Sequence, residues 1–187
     1  MLFRSYSIYA KYILKLIPLP ALNLALETAD YGTSIHQILN QFSKTFPACP
    51  GEPLPDNAED VLIDLGRQKF GAIKKFPAVW AFWWPRFLSI SKWFIDQERA
   101  ARLEIVDIKT EVKGRLELEG PHGTFTLVAV ADRIDRLKNE RLRIIDYKTG
   151  APPTQKEISA GFAPQLPLEA AIANSGGFKS ILGNNVS

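Results

Sequence analysis

Three features of the 187-residue sequence predict an α+β fold. Apolar residues recur at helical spacing in the segment before Leu103, strand-like alternation takes over from Leu103 to Tyr147, and a capped helical pattern returns after Pro153. The expected architecture is a helical N-terminal half, a mostly antiparallel central sheet and C-terminal flanking helices.

Residues 5–16 place Ile8, Tyr12 and Leu16 on one helical face and stop before Pro18 and Pro20, whose rings block helix hydrogen bonding. A second helix is predicted to open at Gly32 and Thr33, with Thr33 or Ser34 capping free amides and Ile35, Ile38, Leu39 and Phe42 forming its apolar stripe. His36 sits at the edge of that stripe. Residues 47–57 carry four prolines and a glycine, so they read as a loop. Helices are predicted over 58–76 and 78–102, the second rich in aromatic residues from Trp80 to Phe94, with Pro85 kinking or restarting it. Core packing accounts for such helix-spaced aromatics, and base stacking is the functional alternative.

The strands follow as 103–118, 124–137 and 142–147, joined by the turn Gly120-Pro121-His122-Gly123 and the break Lys138-Asn139-Glu140, which makes an antiparallel meander. His122 reads as a solvated turn residue. Thr154-Gln155-Lys156-Glu157 has the form of a capping box, and Pro164 precedes a last helix over 165–174.

A composition of 46% hydrophobic and 23% charged residues suits one folded domain over 1–187, divided into a helical lead-in (1–102), a sheet (103–150) and flanking helices (151–187). The net charge of +3 permits an anionic partner without identifying one. The single cysteine, Cys49, excludes an internal disulfide and a four-cysteine metal or iron-sulfur site within the chain, and a reducing cytoplasm is the expected setting. Lys15, Pro18, Pro20 and Asn23 interrupt the apolar stretch at 12–25, well short of the roughly 20 residues a membrane span needs, so a soluble protein with no membrane partner is expected.

Strand alternation puts Leu142, Ile144, Asp146 and Lys148 on one face and Arg143, Ile145 and Tyr147 on the other. A three-residue loop at 138–140 would set Asp132 opposite Asp146. Two carboxylates so placed can share a hard divalent cation, Mg2+ or Mn2+, and Lys148 can position water and stabilise charge on a phosphate. The bland alternative for Asp146 and Lys148 is a strand-edge salt bridge joined by Arg133 or Arg143. Asp135 falls on the opposite face from Asp132 and is expected to pair with Arg133, Arg136 or a turn amide. Glu111 and Glu117 are lesser acidic candidates. Arg133, Arg136, Arg141, Arg143 and Lys156 could line a phosphate-tracking groove or be solvated surface charges.

The segments Asp132-Arg133-Ile134-Asp135, Ile145-Asp146-Tyr147-Lys148-Thr149-Gly150 and Gln165-Leu166-Pro167-Leu168, with the upstream Gly32-Thr33-Ser34-Ile35-His36, resemble the RecB-type branch of the PD-(D/E)XK nuclease superfamily. The order of elements, the segment from Tyr9 to Leu16 and Phe82-Trp83-Trp84-Pro85-Arg86-Phe87 are similar to the nuclease domains of AddB-type helicase-nuclease subunits of double-strand-break repair. The resemblance covers residues 5–178. It implies a restriction-endonuclease-like core and a metal-dependent DNA exonuclease. Asp132, Asp146 and Lys148 would be catalytic; His36, Asp132, Asp146 and the Tyr147 carbonyl would bind Mg2+ or Mn2+. Gln165 would contact DNA or order the site, alongside the DNA-binding candidates Arg133, Arg136 and Arg143. The implied partners are single-stranded DNA ends and an AddA-like helicase-nuclease subunit.

Two departures qualify the match. The tyrosine that often follows such a glutamine is here Glu169, and the domain of the family is expected to continue beyond Ser187, so the flanking helices read as truncated. No phosphate-cradling Gly-x-x-x-x-Gly-Lys-Ser/Thr segment occurs in the chain, which leaves it no ATP-driven unwinding of its own by that route. The competing reading is a catalytically incomplete DNA-binding or complex-assembly fragment of such a subunit.

Overall fold

The structure is a computed structural model describing residues 28–179 continuously, with residues 9, 13–15, 181 and 185–186. The helix expected over 5–16 lies largely outside the described residues. Helix α1 (Thr28–Thr45) starts earlier than expected: Thr33 and Ser34 lie inside it and do not cap it. Buried Tyr31 extends the stripe of Ile35, Ile38, Leu39 and Phe42 back by one turn, and Asp30 in the first turn suits the positive end of the helix dipole.

The proline-rich loop leads to α2 (Ala58–Lys69), a 3-10 turn (Gly71–Lys75) and α3 (Pro77–Ala101). The helix predicted over 58–76 therefore gives way to tighter winding after Lys69. Pro85 neither ends nor restarts α3, which runs through it with the Ser89 hydroxyl donating to the Pro85 carbonyl. Most of the aromatic cluster is core, since Trp83, Phe87 and Phe94 are buried against Tyr31, Phe42 and Phe70, whereas Phe82 and Trp93 are exposed. Helices α2 and α3 approach so closely that a Cβ on Gly66 would lie 2.1 Å from the Phe87 ring.

Strands β1 (Ile105–Gly120), β2 (Gly123–Leu137) and β3 (Arg141–Ile145) form the predicted antiparallel meander. A two-residue strand, β4 (Asn185–Val186), adds in parallel beside β3. After β3 come α4 (Gln155–Ser159), opened by the Thr154–Glu157 capping box, and α5 (Gln165–Asn174). Val112, Ile134 and Leu142 pack against Ile172 and Phe178, so α5 covers one face of the sheet. On the other face Arg133 meets Glu98 of α3.

Buried charge holds that second junction together. Arg133, 1% exposed, bonds both oxygens of Glu98 and is paired with Asp135, which also accepts from Arg143. Arg102 joins Glu98 to the Phe46 and Pro47 carbonyls at the end of α1. Burial pushes the Glu98 carboxyl up, but the Arg133 and Arg102 guanidiniums outweigh it and hold it below its ordinary value. Such a network is costly to bury and costly to break, because removing one partner strands the others. Among the described residues no helix is long and apolar enough to cross a membrane.

Candidate active site

The last ladder pair between β2 and β3 is Arg133 with Ile145. One step further the chain leaves the ladder, and β3 ends two residues short of the expected Tyr147, because the Tyr147 amide donates to Asp132 Oδ2 at 2.9 Å. A side-chain acceptor replaces the next backbone bond and anchors the segment from Asp146 to Gly150 beside Asp132. Helix α1 closes over it: a Cβ on Gly32 would lie 3.3 Å from the Thr149 hydroxyl, and the Tyr147 ring meets His36 edge-on at 6.0 Å. Arg86 of α3 secures the far end by donating to the Thr149 carbonyl at 2.8 Å.

His36 Nδ1 lies 3.2 Å from Asp132 Oδ2. The hydrogen bond to Asp132 raises the imidazole pKa above its ordinary value against the opposing effect of burial, with further help from the Asp132 charge, the Tyr147 backbone and Asp146. Burial pushes Asp132 up, yet hydrogen bonds from His36 and the Tyr147 amide, with the His36 and Lys148 charges, hold it below the usual range.

Asp146 belongs to a second group. Lys148 Nζ is 2.8 Å from Asp146 Oδ2 and 3.0 Å from Oδ1, and it also donates to Gln165 Oε1 at 3.2 Å. Gln165 Nε2 returns a bond to Asp146 Oδ1 at 3.0 Å. The glutamine of α5 thus bonds both the carboxylate and the ammonium. These three residues open onto a cleft of about 1370 Å³ whose walls also include Trp93, Phe162 and Arg86.

The structure thus brings His36, Asp132, Tyr147, Asp146, Lys148 and Gln165 to one end of the sheet. Among the described residues no three His, Cys, Asp or Glu side chains form a ready-made metal cage. His36 and the Tyr147 amide engage Asp132, whereas Lys148 and Gln165 engage Asp146. The donor set nonetheless suits a divalent cation: two carboxylates, an imidazole and a backbone carbonyl, with Glu169 adding a buried carboxylate oxygen that has no hydrogen-bond partner among the described residues.

Other expected residues sort differently. Arg133 cannot contact DNA, because it is buried and saturated by Glu98 and Asp135. Arg143 and Arg136 are partly exposed, paired with Asp135 and Glu140 respectively. Asp135 is turned away from Asp132, as expected. Glu117 is no candidate: it pairs across to Thr126, six residues from Asp132, or about 20 Å at the strand rise. Glu111, by contrast, lies between the pairs Thr110–Arg133 and Val112–Ala131 and so abreast of Asp132, with a left-handed φ of 53°. Glu98 and Glu169 were not anticipated, although Glu169 is a lone carboxylate in an apolar helical run, and the i, i+4 spacing of Glu98 and Arg102 was a readable signal.

The family model of the PD-(D/E)XK nuclease superfamily matches residues 5–182. The chain belongs to that superfamily. Its α+β architecture, with a three-stranded antiparallel meander flanked by helices, is consistent with the restriction-endonuclease-like fold of PD-(D/E)XK proteins. It is 31% identical over 173 residues to an uncharacterized protein of Rickettsia bellii, covering 92% of this chain and 20% of that protein. Similar matches, 30% and 31% identical, are to uncharacterized proteins of Rickettsia conorii and Rickettsia typhi, covering 92% of this chain and 21% and 20% of theirs. The chain spans about a fifth of the length of these relatives. Membership of the PD-(D/E)XK superfamily makes nuclease activity the general chemistry to expect, and its members typically use divalent metals.

Proposed function

We propose that this domain is a Mg2+- or Mn2+-dependent deoxyribonuclease of exonuclease type, working within a longer helicase-nuclease in recombinational double-strand-break repair. The observation that carries the reading is the group Asp146, Lys148 and Gln165, held by hydrogen bonds of 3.0–3.2 Å beside the Asp132–His36 pair. In an ordinary strand-edge salt bridge nothing requires a glutamine from a separate helix to bond both partners.

In this reading Asp132, Asp146, His36 and the Tyr147 carbonyl hold the cation. When bound, the cation supplies Lewis acidity toward the scissile phosphate. Lys148, oriented by Asp146 and Gln165, donates to the attacking water and offsets charge growing on the phosphate oxygens. Trp93 and Phe162 line the adjoining cleft, whose apolar walls favour the exposed bases of a single-stranded end over a closed duplex. Arg136 and Arg143 are the remaining phosphate-facing candidates. An AddA-like subunit would deliver the strand.

The test is cleavage of end-labelled single-stranded DNA, duplex DNA and RNA by the purified protein with Mg2+, Mn2+ or chelator. Metal-dependent shortening of single-stranded DNA from its ends is the expected result. A folded protein that binds DNA and cuts none of the three would instead identify a binding or assembly module.

A further inference from the structure

We infer that Glu169 is a third carboxylate of the divalent-cation site, contributing its Oε2 to the charge with which Asp132 and Asp146 hold the cation. The inference rests on the metal-dependent nuclease reading and extends it to a residue on α5.

Helix geometry places Gln165, Glu169, Ile172 and Ala173 on one face, at spacings of four, three and one. Ile172 and Ala173 pack on the sheet face carrying Ile134 and Leu142, with Ile144 beside them. Further along that face, strand alternation brings Asp132 on β2 and Asp146 just past β3. Gln165 already bonds Asp146, and Glu169, one turn later, is held between that bond and the apolar contacts of Ile172.

Glu169 is 2% exposed, and its Oε1 accepts from Gln165 Nε2 at 3.3 Å. Its Oε2 is buried with no hydrogen-bond partner among the described residues. A carboxylate in such surroundings is unfavourable unless something compensates it. Burial pushes its carboxyl up, the Gln165 bond opposes this, the charges of Asp146 and Asp132 push it further up, and the Lys148 charge offsets part of the rise. Asp146 and Glu169 share the Gln165 amide as donor, and a divalent cation is the ligand class that turns repulsion between such carboxylates into attraction.

The test is titration of the metal-free protein with Mn2+, followed by calorimetry and by loss of the free-ion electron paramagnetic resonance signal, for wild type, Glu169→Gln and Asp146→Asn. Glu169→Gln keeps a carbonyl oxygen to accept from Gln165 and alters only the oxygen that has no partner, so the metal-free fold is retained. Mn2+ affinity is expected to fall about 10–100-fold in Glu169→Gln. Unchanged affinity there, with binding lost in Asp146→Asn, overturns the role of Glu169 and leaves the nuclease reading standing. Absence of Mn2+ binding by wild type overturns both. Should Glu169→Gln lose cooperative melting, Glu169→Asp against Glu169→Asn gives the same charge comparison in a smaller side chain, with tighter Mn2+ binding expected for Asp and equal binding contradicting the inference.

Discussion

The Tyr147 amide donates to Asp132 Oδ2 at 2.9 Å, and this bond fixes the distance between the two halves of the site. It ends β3, turns the Asp-Tyr-Lys segment out of the ladder and leaves Asp146 and Lys148 facing α5 while the Tyr147 ring packs between His36 and Phe94. Asp132→Ala removes the acceptor and leaves a partly buried amide unsatisfied. A loss of about 1–3 kcal/mol in metal-free stability is expected from urea unfolding, together with loss of the melting-temperature rise on adding Mn2+. Retention of that rise would remove Asp132 from the ligand set.

Gln165 acts on its neighbours through hydrogen bonds to both Asp146 and Lys148. Gln165→Ala should therefore lower kcat about 10–100-fold with a smaller change in KM, since it loosens the lysine without removing it. A change confined to KM would mean that Gln165 serves DNA binding alone.

Glu98 gives a pH-dependent prediction. Its folded pKa lies below the ordinary 4.5, so its contribution is fully present above 4.5 and is lost as pH falls through the folded value. Glu98→Gln leaves Arg133 buried beside Asp135 alone and should cost about 3–5 kcal/mol at neutral pH. Denaturation curves of variant and wild type should converge as pH falls below 4.5, and a gap that persists undiminished in acid would show that packing rather than charge sets the loss.

Gly66→Ala tests the crossing of α2 and α3. Alanine is the better helix former by up to about 1 kcal/mol, but its methyl would overlap the buried Phe87 ring. A net loss of about 1–3 kcal/mol is expected on thermal unfolding. A stabilised variant would show that the helices separate without penalty.

Much of the sheet was legible because strand alternation and turn chemistry are local. The loop at 138–140 fixed the register that pairs Arg133 with Ile145, one step short of Asp132 and Asp146, and Thr154 with Glu157 formed the capping box their spacing announced. The start of α1 was missed because Gly32 and Thr33 look like a helix opening, whereas Tyr31 extends the stripe from the other side. Arg133 was misread for a different reason: an arginine beside a carboxylate motif looks like a phosphate ligand until Glu98, 35 residues earlier, is seen to reach it. Glu169 was hidden in the same way, since the environment that makes its free oxygen informative comes from β2 and β3.

The most direct measurement is single-turnover cleavage of end-labelled single-stranded DNA with Mg2+, with DNA binding measured in parallel, for wild type and Lys148→Ala. A cleavage rate reduced by about 10²–10³ at unchanged DNA affinity is the predicted result, because the ammonium acts on charge that develops during hydrolysis. Equal cleavage by the two proteins would contradict the assignment of Lys148, Asp146 and Asp132 as the hydrolytic centre.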